Sequence, residues 1–145
     1  MKAVIQRCLA ARVEVEGKIV GEIGPGLAIF LGVGQDDDEA TAARLAQKIA
    51  GLRIFDNDEG KFDRSLRDMG GSALVISNFT LYGDARKGTR PNFGGAARPE
   101  RANFLYERFA TLLNEQGPEV QTGTFAAAMK VSVENDGPVT LILEL

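Results

Sequence analysis

A mixed α/β fold, rich in strands and carrying two helices, is the class that this sequence predicts. Three observations lead there. Leu27-Ala28-Ile29-Phe30-Leu31, between Gly26 and Gly32, and Ala73-Leu74-Val75-Ile76, preceded by Gly70-Gly71, are apolar runs too short for buried helices. Two longer stretches instead repeat apolar residues at helical spacing. The 145 residues, 44% hydrophobic and 26% charged, suit one soluble domain, residues 1–145, with a substantial core.

Taken in order, residues 2–15 alternate loosely through Val4, Ile5, Val13 and Val15 and read as a strand. Glu16-Gly17 is a hairpin turn, 18–23 is the return strand, and Gly24-Pro25-Gly26 turns the chain again. The run 27–31 is a buried strand. Asp36-Asp37-Asp38-Glu39 supplies an N-cap and negative charge for a helix over 38–52, whose stripe is Ala42, Leu45, Ala46, Ile49 and Leu52. A short strand, Arg53-Ile54-Phe55, precedes a turn at Asp56–Gly60. Ser72 begins a central strand that passes into Ser77-Asn78-Phe79-Thr80 and then a basic loop from Gly83 to Arg98. Pro99 suits the first turn of a second helix, striped by Ala102, Leu105, Tyr106, Phe109, Leu112 and Leu113, and Gly117-Pro118 stops it. Residues 119–125, Met129 to Glu134 and 139–145 read as strands, the last two separated by a turn at Asn135-Asp136-Gly137-Pro138.

Composition narrows the chemistry. Histidine is absent, so no Ser-His-Asp triad, Cys-His pair or His-ligated zinc can form. Cys8 is the only cysteine, which excludes an internal disulfide and fits a reducing cytoplasm. No apolar run approaches membrane-spanning length. A net charge of −3 argues against whole-surface nucleic-acid binding but leaves room for a local basic patch. Asp56-x-Asp58-x-Gly60 lacks the glutamate that a calcium loop needs at its twelfth position, where Arg67 stands, and reads as a turn. The acidic run 36–39 reads as capping rather than a metal site. Gly24-x-Gly26 and Gly32-x-Gly34 complete no nucleotide fingerprint.

Two stretches carry candidate chemistry. Ser77 and Thr80 bring hydroxyls to the end of a core strand, beside Arg86, Lys87 and Arg90, which suit an anionic partner. The bland readings are strand-end hydrogen bonding and a solvated loop. Gly137-Pro138 reads as a turn, in which proline makes a cis peptide accessible and can aim neighbouring carbonyls in one direction.

These segments together resemble one family. Ser77-Asn78-Phe79-Thr80-Leu81 is similar to its Ser-Gln-Phe-Thr signature, with Asn78 where glutamine is usual. Asn135-Asp136-Gly137-Pro138-Val139-Thr140 is similar to its Gly-cisPro signature. Met1 to Arg7 with Val13-x-Val15-x-Gly17, and Gln121-Thr122-Gly123-x-Phe125-Ala126-Ala127-x-Met129, extend the likeness along essentially the whole chain. The family is the D-aminoacyl-tRNA deacylases. The resemblance implies mostly antiparallel strands forming an open barrel-like core, with the two helices packed outside. It implies a cytoplasmic homodimeric hydrolase, without metal or cofactor, that cleaves the ester between a D-amino acid and tRNA and also clears mischarged glycine. It implies a site at Ser77, Asn78, Phe79 and Thr80, closed in trans by Gly137 and Pro138 of a second copy and braced by Arg7. Val139, Thr140, Phe125 and Met129 would complete substrate binding. Arg86, Lys87 and Arg90 would meet the 3′-terminal adenosine and acceptor stem of tRNA; neither DNA nor a membrane is an expected partner.

Two mechanisms suit a site without histidine. Thr80 could be a nucleophile, but no sequence neighbour supplies a base. Alternatively the terminal ribose 2′-OH helps activate water while backbone N–H groups near Phe79 and Thr80 hold the oxyanion, and this reading is preferred. A non-enzymatic RNA-binding module, a structural dimer and an editor of another mischarged pair are the competing expectations.

Overall fold

Strand β1 (Lys2–Val15) organises the sheet, because its fourteen residues are long enough to serve several neighbours. The computed structural model describes residues 1–145. The far half of β1 pairs antiparallel with β2 (Lys18–Ile23) through the turn at Glu16-Gly17. Its near half pairs antiparallel with β3 (Gly26–Gly32). On its other side, nearly its whole length pairs with the last strand, β8 (Lys130–Glu144). Beyond β3 lie β6 (Ser72–Ser77) and β7 (Glu119–Thr122), each parallel to its neighbour. The order is therefore β2-β1-β3-β6-β7, with β8 on β1.

The sheet curls into a nearly closed barrel. A Cβ built on Gly21 of β2 would lie only 2.5 Å from the carbonyl oxygen of Thr122 on β7, so the two ends of the sheet meet closely there. The apolar runs of β3 and β6 are continuous because both faces are covered. Leu27, Ile29, Leu31, Ala73 and Val75 face the helices, in a core shared with Leu45, Ile49, Leu105 and Phe109. Ala28, Leu74 and Ile76 point into the barrel with Val13, Ile23 and Cys8. Helices α1 (Glu39–Ala50) and α3 (Pro99–Glu115) pack outside, joined at the surface by Arg108 and Glu39.

The acidic run before α1 divides its work. Asp38 caps the helix, accepting from the Thr41 N–H. Asp37 turns inward, where it accepts from the Met1 amino group at 2.5 Å and the Gly34 N–H at 2.6 Å. Asn57 folds the turn at 56–60 by accepting from the N–H groups of Glu59 and Lys61.

Four local expectations change. The strand expected at 53–55 is Phe55–Asp56 (β4), and it pairs with an unforeseen partner, Phe62–Arg64 (β5). A single-turn helix, α2 (Leu66–Met69), was also not evident; a reciprocal capping box between Ser65 and Asp68 holds it. Residues 123–125 fall outside β7. The strands expected at 129–134 and 139–145 are one strand, β8. Asn135 to Pro138 form an irregularity within it, where the register against β1 shifts on both sides of Cys8. Pairing with a single continuous neighbour keeps the two halves in line, so the Gly-Pro dipeptide bends the strand without ending it.

Candidate active site

Ser77 ends β6 level with Leu31 of β3, and the chain then tightens into a 3-10 turn, Phe79–Tyr82. The turn begins with the Leu81 N–H donating to the Asn78 carbonyl. The N–H groups of Phe79 and Thr80 precede that first bond, and no side chain caps them. Asn78 is anchored through its own N–H, 2.8 Å from the carbonyl of Leu31. Its side chain accepts from the Thr80 hydroxyl at 2.5 Å.

A cavity of about 590 Å³ opens at this end of the barrel. Ser77, Asn78 and Phe79 line it together with Phe125 and Met129. Thirteen of its sixteen lining residues are hydrophobic, so the few polar groups at its rim fix the orientation of whatever enters. Its position matches the general preference of α/β sheets for ligands at the carboxyl ends of parallel strands, here β3 and β6. Phe79 stays 58% exposed and meets Phe93 edge-to-face, ring centroids 5.2 Å apart. The walls supplied by Ala97, Pro99 and Ala102 were not anticipated; small residues at the start of α3 give no chemical signal in a sequence.

The basic loop adjoins this site, but its charges are unequal. The Asp84 carboxylate accepts from the N–H, Nε and Nη2 of Arg86. That contact holds the Asp84 carboxyl well below the usual carboxylate range. Lys87 and Arg90 form no ion pair and lie exposed. Of the three, only Arg86 is engaged within the loop, through an exposed pair with Asp84.

A second cluster forms around Arg7. Its guanidinium is buried between β1 and the β4–β5 ribbon, with Nη1 donating to the Ile54 carbonyl at 2.8 Å and to Asp56 at 3.3 Å. Its Nε lies 2.9 Å from the Asp136 carboxylate but off the hydrogen-bond direction, so this is a charge contact rather than an aligned bond. Asn135 Nδ2 bridges the carbonyls of Arg7 and Val139, at 2.9 and 3.1 Å. Gly137-Pro138 is held by this frame, with a cis peptide and both residues exposed. Gly137 has φ +121, and a Cβ there would meet Val139 Cγ2 at 2.7 Å. Val139 is buried, whereas Thr140 is exposed and accepts from Gln6 Nε2 at 3.3 Å. Ile54, Asp56 and Asn135 were missed as parts of this frame, because their roles depend on a contact to the distant Arg7.

Within one chain these clusters are separate. Ser77, Asn78, Phe79, Phe125 and Met129 share the cavity. Arg7, Gly137, Pro138, Val139 and Thr140 do not line it. Along β1, the level of Ser77 is that of Ala3, while Gly137 lies opposite the stretch from Gln6 to Cys8. Thr80 is exposed and does not line the cavity.

The profile of a family described as D-Tyr-tRNA(Tyr) deacylase matches residues 4–144. A D-aminoacyl-tRNA deacylase of Rhodopirellula baltica is 56% identical over 145 residues, covering all of both chains. One of Symbiobacterium thermophilum is 52% identical over 144 residues, covering 99% of this chain and 95% of its own. A solved structure described as a c-Myc DNA unwinding element binding protein superposes with a TM-score of 0.94 at 36% identity, covering 100% of this chain and 99% of its own. Another, described as a probable eukaryotic D-amino acid tRNA deacylase, has a TM-score of 0.85 at 17% identity over 99% and 98% of the two chains, a likeness of fold.

Proposed function

The chain belongs to the D-Tyr-tRNA(Tyr) deacylase family, and from that premise we propose how one copy, closed by a second, selects and hydrolyses its substrate. It is a D-aminoacyl-tRNA deacylase, a hydrolase of the ester between the amino acid and the tRNA. The finer reading is a homodimer in which Gly137-Pro138 of one copy completes the cavity beside Ser77 to Thr80 of the other. One observation carries it: the exposed Gly137-Pro138 corner is rigidly framed yet remote from the cavity of its own chain. A rigid, solvent-facing corner with no partner in its own subunit suits a partner in another.

Carbonyls at that corner would receive the substrate α-ammonium. An L side chain would collide with the corner, and a D side chain would project away. Exclusion by collision discriminates more strongly than one added attractive contact. Glycine has no side chain to exclude, so glycine mischarged on tRNA is a second substrate. The ester is intrinsically reactive, and the ribose 2′-OH helps activate water while the Phe79 and Thr80 N–H groups stabilise the oxyanion. No carboxylate or other base bonds Thr80, whose hydroxyl instead meets a carboxamide, and this supports the water mechanism over a threonine nucleophile. Lys87 and Arg90, with Arg86 a weaker third, would position the acceptor end of the tRNA through phosphates.

Subunit mixing tests the reading. Gly137→Ala forces a side chain into a left-handed position already crowded by Val139. Ala97→Trp blocks the cavity. Each variant alone is expected to lose release of D-Tyr from D-Tyr-tRNA. Mixed after dissociation and reassociation, they should recover part of it, because one site of the mixed dimer is intact. No recovery in verified mixed dimers would defeat closure in trans.

A further inference from the structure

The 3-10 turn Phe79–Tyr82 has little hold of its own. Its bonds run from the Leu81 N–H to the Asn78 carbonyl and from the Gly83 N–H to the Thr80 carbonyl, at 3.3 and 2.9 Å. Phe79 and Thr80 are exposed. So short a turn keeps one shape only where tertiary contacts hold it. Those contacts gather at its far end, on Tyr82. Gly32, Gly34 and Gly95 form a slot for the ring. A Cβ on Gly34 would lie 2.5 Å from the Tyr82 hydroxyl, and one on Gly32 or Gly95 would lie 3.2 Å from a ring carbon. Lys2 Nζ stands over the ring, 4.8 Å from its centroid. The hydroxyl donates to Asp37 Oδ2 at 3.3 Å. Asp37 is itself buried and fixed by the Met1 amino group and the Gly34 N–H.

We infer that Tyr82 is a positioning residue for deacylation: seated in the glycine slot and bonded to Asp37, it anchors the turn so that the Phe79 and Thr80 N–H groups are aimed before substrate arrives. The inference rests on the deacylase reading above and adds to it residues outside the cavity, since Tyr82, Asp37, Gly32, Gly34 and Gly95 do not line it. An aromatic ring is a rigid body with few torsions, so fixing both its flank and its hydroxyl fixes the backbone that bears it. Both N–H groups lie within three residues of Tyr82 and would shift together if the ring moved. Donors held in advance cost no reorganisation during the reaction, which is why they stabilise a transition state more than a ground state.

The test is steady-state and single-turnover hydrolysis of D-Tyr-tRNA by full-length variants, well below their unfolding temperatures and with folding checked by circular dichroism. Tyr82→Phe keeps the ring in its slot and removes only the bond to Asp37. It should lower kcat about fivefold with KM little changed, the scale of one hydrogen bond. Gly34→Ala puts a methyl where the hydroxyl end of the ring sits. It should lower kcat about 100-fold, the scale of misplacing reacting groups by an ångström. In the Gly34→Ala background Tyr82→Phe should cost nothing further, since the ring has already left Asp37. Ile49→Val, a core change remote from the turn, should lower stability yet leave kcat as in wild type. Wild-type kcat in Tyr82→Phe would overturn the proposal even if Gly34→Ala failed to fold. So would a raised KM at unchanged kcat, or a loss of kcat in Ile49→Val equal to that in Tyr82→Phe, which would make the effect one of general stability. A wild-type chain inert on D-Tyr-tRNA would defeat the deacylase reading itself, whereas an active wild type with indifferent variants would defeat only this inference.

Discussion

Asp37 shows how much a single buried side chain does in this chain. Its two oxygens take the Met1 amino group and the Gly34 N–H, and the Tyr82 hydroxyl lies 3.3 Å away. Burial and the Asp37 carboxylate together push the Tyr82 phenol well above its ordinary value, so it stays neutral. Removing the carboxylate leaves a buried ammonium unpaired. Asp37→Ala should therefore destabilise the protein by about 3–5 kcal/mol in urea unfolding, the usual cost of breaking a buried pair from one side. A loss below about 1 kcal/mol, that of an exposed pair, would contradict this. Arg7 is the counterpart in the other cluster. Its fork spans Ile54, Asp56 and Asp136, which a lysine ammonium could not span together.

Helix ends make a separate, pH-dependent contribution. Asp38 is held below its ordinary range first by the Thr41 hydroxyl and N–H, and Asp68 likewise by Ser65. A depressed folded value means that each cap contributes fully above the ordinary carboxylate range and is lost as pH falls through its folded value. Stability of wild type should therefore fall faster between pH 5 and pH 2 than that of Asp68→Asn, followed by thermal unfolding. Parallel curves would remove the capping box from the account. These elements also show what a sequence can reveal. The acidic run before α1, the Pro99 start of α3 and the doubly buried strands β3 and β6 were legible, because periodicity and capping act over a few residues. The β4–β5 ribbon and α2 were not. Phe55-Asp56 and Phe62–Arg64 pair across a turn with little apolar pattern, and the capping box of Ser65 lies before a helix of only four residues. The continuity of β8 was hidden because Gly-Pro signals a turn locally, while the neighbouring β1 decides otherwise. The candidate site was partly legible: the polar residues after Ile76 announced themselves, but the Asn78–Thr80 orientation and the frame of Arg7 exist only in three dimensions.

Across the whole molecule, charge and topology set the remaining expectations. The chain is net acidic, so attraction for tRNA should come from few cations. Replacing Lys87 and Arg90 with alanine should make kcat/KM less sensitive to salt, by about 0.7 in log–log slope for each lost phosphate contact. Arg86→Ala should change the slope less, since Asp84 already occupies that guanidinium. Slopes unchanged from wild type in all of these variants would argue that the loop does not meet the phosphates. The pairing of β1 with β8 has a further consequence, for biosynthesis. Residues 2–14 bond to residues 130–144, so one of the earliest strands to leave the ribosome must wait for one of the last. Until then its edge is open to other nascent chains. A stalled or prematurely ended message would thus yield a sticky fragment rather than a weakened enzyme, and chaperone capture of this chain should be heaviest just before β8 emerges.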